Sequence, residues 1–327
     1  MNQRFSLPLI FSFLIVHFFF PAFAFSATPL SGQLKVVCTT GMISNVVEEV
    51  GGELVNVTGL MGAGVDPHLY KPTRSDIAAL NSADLVFYNG LLLEGKMTDA
   101  LIRIATSGKK VVAVTEQLAP EYLLEPPGFA GHFDPHVWMD PRAWMKTVEV
   151  IRDSLIALLP SHKDTLLKNA EGYLKKLTEL DSYAERVLKS VPASSRVLVT
   201  AHDAFNYFGR RYGFEVLGIQ GISTESEAGE QDIERIVKIL VERKISAVFI
   251  ESTVSDRNIK ALVEGAAAKG QQVQIGGQLF SDAMGSAGTY EGSYLGMIDH
   301  NVTLISRALG GNAEIAGWSG KLSSSAK

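Results

Sequence analysis

The chain has 327 residues, 46% of them hydrophobic, and a formal net charge of −5 at pH 7. That length and apolar content suffice for two domains with sizeable cores. The acidic balance, with lysines and arginines scattered and no basic patch interleaved with aromatics, argues against nucleic acid as a partner.

The N-terminus reads as an export signal. Arg4 supplies the positive region, residues 7–20 are apolar with Ser12 and His17 interrupting, and Ala22-Phe23-Ala24 fits a small-x-small cleavage site. The apolar run is short of the roughly 20 residues that span a bilayer and ends at Pro21, so residues 1–27 are expected to be a cleaved signal peptide rather than an anchor. The only cysteine, Cys38, falls in the apolar run 34–38, where a first core strand belongs. It cannot form an internal disulfide and does not directly follow the signal segment as a lipoprotein cysteine would, so a buried, inert thiol is expected. An exported, unlipidated protein without a disulfide fits a periplasm.

In the first half, strands are expected over 33–38, 54–60, 85–88 and 110–114, with helices over 43–50, 73–82 and 97–106. Gly51-Gly52 closes the first helix, and a Thr/Asp capping pattern opens the second. The loop 61–72 carries Asp66-Pro67-His68, and the same tripeptide recurs at Asp134-Pro135-His136. Proline fixes φ and biases the preceding aspartate to extended geometry, so each histidine should project from a stiff turn, as a metal ligand must. Asp140 and Pro141 also read as N-cap and first residue of a helix over 142–159. Residues 161–189 then run without proline, with leucines and tyrosines at helical spacing. One helix there would span roughly 40 Å, the length of a strut between lobes; the alternatives are an exposed face of one lobe or two helices broken at Gly172.

The second half repeats the alternation, with strands over 196–201, 215–219, 247–251 and 272–275 and helices over 204–212, 230–243 and 256–268. A glycine-rich loop, 276–292, precedes a closing helix over 294–309, and lacks the spacing of a phosphate cradle. The fold class is therefore α/β: two lobes, each with a mostly parallel four-stranded sheet flanked by helices, joined by one long rigid helix. Lobes are expected over 33–145 and 193–312, connecting helices over 146–192 and a disordered tail over 313–327.

In open α/β sheets ligands bind beyond the carboxyl ends of the strands. The positions that follow strands hold His68 and His136 in the first half and His202 and Asp282 in the second, with Glu251 a fifth candidate. Plainer readings stand beside these: a lone loop histidine such as His136 is more often structural or exposed than a ligand, His202 could share an N-cap role with Asp203, Asp282 could be a turn residue, and Glu251 could bond backbone between lobes. Three imidazoles and one carboxylate suit Zn²⁺ or Mn²⁺ better than Ca²⁺ or Mg²⁺, which want more oxygens. Asp66, Asp134 and Glu251 could then orient the histidine rings.

The stretches GVDPHLYKPTRSDIAALNSADLVFYNGLLLE (64–94), DPHVWMDP (134–141), VTAHDAFNYFGRRYGFEVLGIQGISTESE (199–227), FIES (249–252) and IGGQLFSDAMG (275–285) make the whole mature chain resemble the TroA-like family of periplasmic receptors for zinc and manganese ABC importers. The resemblance implies two lobes around one metal ion, held by His68, His136, His202 and Asp282, and delivery to an inner-membrane permease with its ATPase. Histidine at 202, the retained Asp282 and the absence of a histidine-rich loop before His136 place the chain closest to members able to hold either ion. No HExxH or GxSxG occurs, so a monomeric receptor and not an enzyme is expected; a metallohydrolase or a metal-dependent adhesin is the alternative.

Overall fold

The computed structural model describes residues 32–322 apart from 127, 128 and 130. The expected signal peptide lies outside the described residues. Strands β1 (Leu34–Cys38), β2 (Val55–Gly59), β3 (Leu85–Tyr88) and β4 (Lys110–Ala113) form one parallel sheet in the order β2-β1-β3-β4. Helices α1 (Gly41–Gly51), α2 (Arg74–Ser82) and α3 (Thr98–Thr106) make the crossovers that parallel pairing requires. Cys38 is fully buried in β1, as expected. The order reverses at β1, so the chain leaves β1 and β3 in opposite directions and opens a crevice at their carboxyl ends.

Helix α4 (Pro141–Leu158) starts where the sequence placed it, with the Asp140 carboxylate accepting the Arg142 N–H at 2.9 Å. Helix α5 (Lys163–Lys189) is continuous through Gly172 over 27 residues, about 40 Å. Its first half packs on the first lobe, where Asn169 donates to the carbonyl of Val50. Its second half packs on α9 (Tyr294–Ala308), where Tyr183 meets Thr303 and the Ser306 hydroxyl donates to the carbonyl of Val187. One rigid rod therefore grips both lobes.

The second lobe contains β5 (Val197–Thr200), β6 (Glu215–Gly218), β7 (Ala247–Glu251) and β8 (Gln274–Leu279), with helices α6 (Asn206–Tyr212), α7 (Glu230–Glu242) and α8 (Arg257–Ala268). Among the described residues the parallel ladders run within two pairs, β5 with β6 and β7 with β8, rather than across one four-stranded sheet. The pairs still lie side by side, because β5 neighbours β7. Strand β8 extends four residues beyond the expected end, through Gly276 and Gly277. A Cβ at Gly276 would sit 2.7 Å from the Phe249 ring and one at Gly277 2.7 Å from Leu304, so these glycines let the strand approach its neighbours rather than loop away. The segment 313–322, expected to begin a disordered tail, folds back onto α9: the N–H groups of Trp318 and Ser319 donate to the buried Asp299 carboxylate.

Candidate metal centre

Four side chains meet in the cleft between the lobes. His68 stands in the β2–α2 loop, His136 in the β4–α4 connection, His202 two residues after β5 and Asp282 three after β8. All four are buried, and one donor atom from each lies within 4.8 Å of all the others. Nε2 of His68 is 3.3 Å from Nε2 of His136. The carboxylate oxygens of Asp282 lie 3.8 Å from His68, 3.5 Å from His136 and 3.2 Å from His202. A tetrahedron with bonds of about 2.0–2.1 Å has edges of about 3.3–3.4 Å; the 3.2, 3.3 and 3.5 Å separations are close to that, and the longer ones, up to 4.8 Å, would have to contract around a first-row divalent ion.

Unsatisfied atoms point the same way. Nε2 of His202 and both carboxylate oxygens of Asp282 are buried, and apart from the 3.2 Å approach of His202 to Asp282 none of them has a hydrogen-bond partner. Orphaned groups of this kind are costly in a protein interior, and here they converge on one point. Two free carboxylate oxygens also let Asp282 bind through one or both, which accommodates ions of differing coordination number.

The turns that carry the histidines are built alike. In each Asp-Pro-His, the aspartate carboxylate accepts the N–H of the histidine two residues on, Asp66 to His68 at 2.8 Å and Asp134 to His136 at 2.9 Å. Asp134 Oδ1 also lies 2.7 Å from Nδ1 of the His136 ring, leaving Nε2 free to face the cleft. Asp66 differs from the expectation: its second oxygen accepts from the Thr224 hydroxyl at 2.6 Å instead of orienting the His68 ring. Glu251 holds His202 twice, accepting its backbone N–H at 2.9 Å and lying 2.5 Å from its Nδ1. The N-cap reading of His202 fails, since α6 begins only at Asn206.

Several supporting residues had no role in the sequence reading. Trp138 packs edge-on against His136 and donates its indole N–H to the carbonyl of Ser281 across the cleft at 2.8 Å. Asn206 donates to Asp134, and Tyr207 donates to the carbonyl of that same residue. Buried Glu94 accepts from the Thr39 hydroxyl and from the N–H groups of Asn89 and Gly90, and Asn89 in turn donates to the carbonyl of Pro135. Only the position of Trp138, inside the Asp-Pro-His-Val-Trp run, offered a sequence signal for these.

The electrostatics are divided. Burial pushes His68 down to about 3, with the neighbouring imidazoles acting in the same direction and Asp282 against. Burial would also lower His202, but Asp282 and Glu251 outweigh it and hold the imidazole well above the usual histidine range. Asp282, despite its burial, is held below the usual carboxylate range by His202, His136 and His68. The centre thus favours a cation whether that cation is a proton or a metal.

A two-lobed α/β protein with three imidazoles and one carboxylate aimed at a single point in its cleft belongs to the class of metal-binding cleft proteins. More narrowly, the chain belongs to the family described as zinc-uptake complex component A, periplasmic, whose model matches residues 36–308. It is 49% identical over 277 residues to the manganese-binding lipoprotein MntA of Bacillus subtilis (strain 168), a match covering 85% of this chain and 90% of that protein. It is 45% identical over 288 residues to the zinc-binding protein TroA of Treponema pallidum (strain Nichols), covering 88% and 92%. The solved structure of the periplasmic zinc-binding protein TroA from Treponema pallidum matches with a TM-score of 0.83 at 46% identity, covering 85% of this chain and 99% of that one.

Proposed function

We propose that this chain is the extracytoplasmic receptor of a divalent-metal ABC importer: it captures Mn²⁺ or Zn²⁺ with His68, His136, His202 and Asp282 and hands the ion to a membrane permease driven by an ATPase. The observation that carries this reading is the convergence of buried His202 Nε2 and both Asp282 carboxylate oxygens, bonded to no residue outside the centre, on the two histidines of the other lobe. The metal is cargo. Four protein ligands close around it and leave no coordination position for a catalytic water, so the chain acts as a receptor and not as a metallohydrolase. Each chain supplies a complete donor set, so the site needs no residue from a second copy.

Relatives named for manganese and for zinc share nearly half of this sequence, which supports a site able to take either ion. Zinc should bind more tightly in any simple equilibrium, because the affinity order of divalent ions favours it. The cargo in the cell is therefore set by availability, and metal analysis of protein purified from its own compartment identifies it.

The chain is exported and remains unlipidated in the periplasm, unlike the relative named a lipoprotein. Its only cysteine is sealed inside β1, where no acyl chain reaches it. Among the described residues no helix is long and apolar enough to cross a membrane. Mass spectrometry of the mature chain is expected to show cleavage near residues 24–27 and no acyl group.

The direct test of the receptor is thermal unfolding with added metal. At a thousandfold excess over the dissociation constant, Zn²⁺ or Mn²⁺ should add about 4 kcal/mol of stability. Alanine at His202 should remove most of the resulting rise in Tm, and an unchanged rise would refute the ligand assignment.

A further inference from the structure

The two lobes are not tied equally around the centre. The segment that carries His136 is fastened to the second lobe by Trp138 to Ser281, by Asn206 to Asp134 and by Tyr207 to the Asp134 carbonyl. Tyr294 of α9 adds a bond from its hydroxyl to the Trp138 carbonyl at 2.7 Å. The segment that carries His68 has, among the described residues, a single hydrogen bond to the second lobe: the Thr224 hydroxyl on Asp66 at 2.6 Å. The other oxygen of that carboxylate accepts the His68 N–H, so one carboxylate connects Thr224 to the backbone of His68. The residue next to Thr224, Glu225, reaches Lys96 of the first lobe at 3.4 Å, a half-exposed pair of little strength. Beside this link lies a cavity of about 260 Å³ bordered by Asp66, Leu69, Thr224 and Thr253.

We propose that Thr224 is a positioning residue for metal retention: its hydroxyl latches Asp66, the latch holds the His68 turn closed, and the ion is released by loss of His68 first while His136, His202 and Asp282 remain assembled. This inference rests on the receptor reading. The ion leaves on the side of the Thr224 cavity, where the His68 turn has room to swing outward. A latch on one ligand of four governs escape more than capture, because the open site still presents three donors to an arriving ion.

The test measures release of Zn²⁺ to an excess of fluorescent chelator by stopped flow, with wild type, Thr224→Val and Thr224→Ser. Valine keeps the shape of buried Thr224 and removes its hydroxyl, whereas serine keeps the hydroxyl. Release should be about tenfold faster for valine, the scale of one hydrogen bond to a charged acceptor, and near the wild-type rate for serine, with association within about twofold for all three. Melting of the metal-free variants confirms that they fold, and Thr224→Ala substitutes should valine fail. Equal release from valine and wild type, or equally fast release from serine and valine, would overturn the latch alone. Failure of the wild-type chain to take up Zn²⁺ would overturn the receptor reading together with it.

Discussion

Glu251, the last residue of β7, grips His202, which follows β5, through both the backbone N–H and ring Nδ1 of the histidine. The second lobe's strand pairs meet at their carboxyl ends through this contact, and the same contact turns Nε2 toward Asp282. A carboxylate behind a metal-binding imidazole fixes its tautomer and raises its basicity. Glu251→Gln preserves size and one acceptor but removes the charge. Affinity for Zn²⁺ and Mn²⁺, measured by chelator competition, should fall about 10- to 100-fold while the fold persists; an unchanged affinity would show that Glu251 only joins the strand pairs.

Metal uptake should release a proton. Asp282 and Glu251 overcome burial and hold His202 above the usual histidine range, so an ion that binds Nε2 at neutral pH competes with a proton the site favours there. Calorimetric binding enthalpies at pH 7 in buffers of different ionisation enthalpy should therefore give a slope of about one proton per metal. Affinity should rise about tenfold per pH unit until His202 loses its proton unaided. A zero slope contradicts the assignment.

The two histidines act oppositely on the metal-free fold. His202, raised in the folded state, contributes stability that is fully present below the unfolded value near 6.5 and is lost as pH rises through its folded value. His68, lowered to about 3, stays neutral in the fold while the unfolded chain takes up a proton, so its contribution falls as pH drops from about 6.5 toward 3. Between pH 6.5 and 4 His202 is protonated in both states and His68 sets the slope of this pair. Denaturant titrations of the metal-free protein should show stability decreasing over that interval, and His68→Gln should flatten the decrease.

The parts of this architecture that were legible in the sequence are those with local causes. The Asp-Pro-His turns follow from the proline restriction, and the Asp140 cap and the Thr73/Asp76 capping box from side chains that reach their own helix. Cys38 falls in a short apolar run that already marks a core strand. What stayed hidden depends on residues distant in the chain. Glycines at 276 and 277 read as a loop until Phe249 and Leu304 are known to crowd them. Asp66 reads as a partner for its neighbouring histidine ring, and only the structure places the Thr224 hydroxyl, 158 positions away, on its second oxygen. Asp282 is intermediate, since its position beyond a strand end was readable but its orphaned lone pairs were not.

Gly277→Ala tests how β8 aims Asp282. Gly277 has φ of +131°, outside the range an L side chain readily adopts, and its Cβ would meet Leu304 of α9 at 2.7 Å. Either β8 or α9 must shift, at a cost of about 1–3 kcal/mol in stability. Because Asp282 lies five residues farther along the same segment, metal affinity should weaken together with the loss of denaturant midpoint. Affinity unchanged in a destabilised protein would show that the Asp282 loop is anchored independently, for example through the bond from Trp138 to Ser281.

Gly172 offers the reverse case. It lies within α5, the rod that grips both lobes, and a Cβ built there meets nothing within 4 Å. Glycine in a helix interior is less stable than alanine by about 0.5–1 kcal/mol through the freedom it gives the unfolded chain. Gly172→Ala should therefore raise the metal-free protein's stability by that amount. If the rod must bend at this point when the lobes part, the same substitution will also slow metal release in stopped flow; if the rod is rigid throughout, release will be unchanged. Its continuous helix, gripped by Val50 at one end and Ser306 at the other, favours the rigid outcome, with movement confined to the His68 turn.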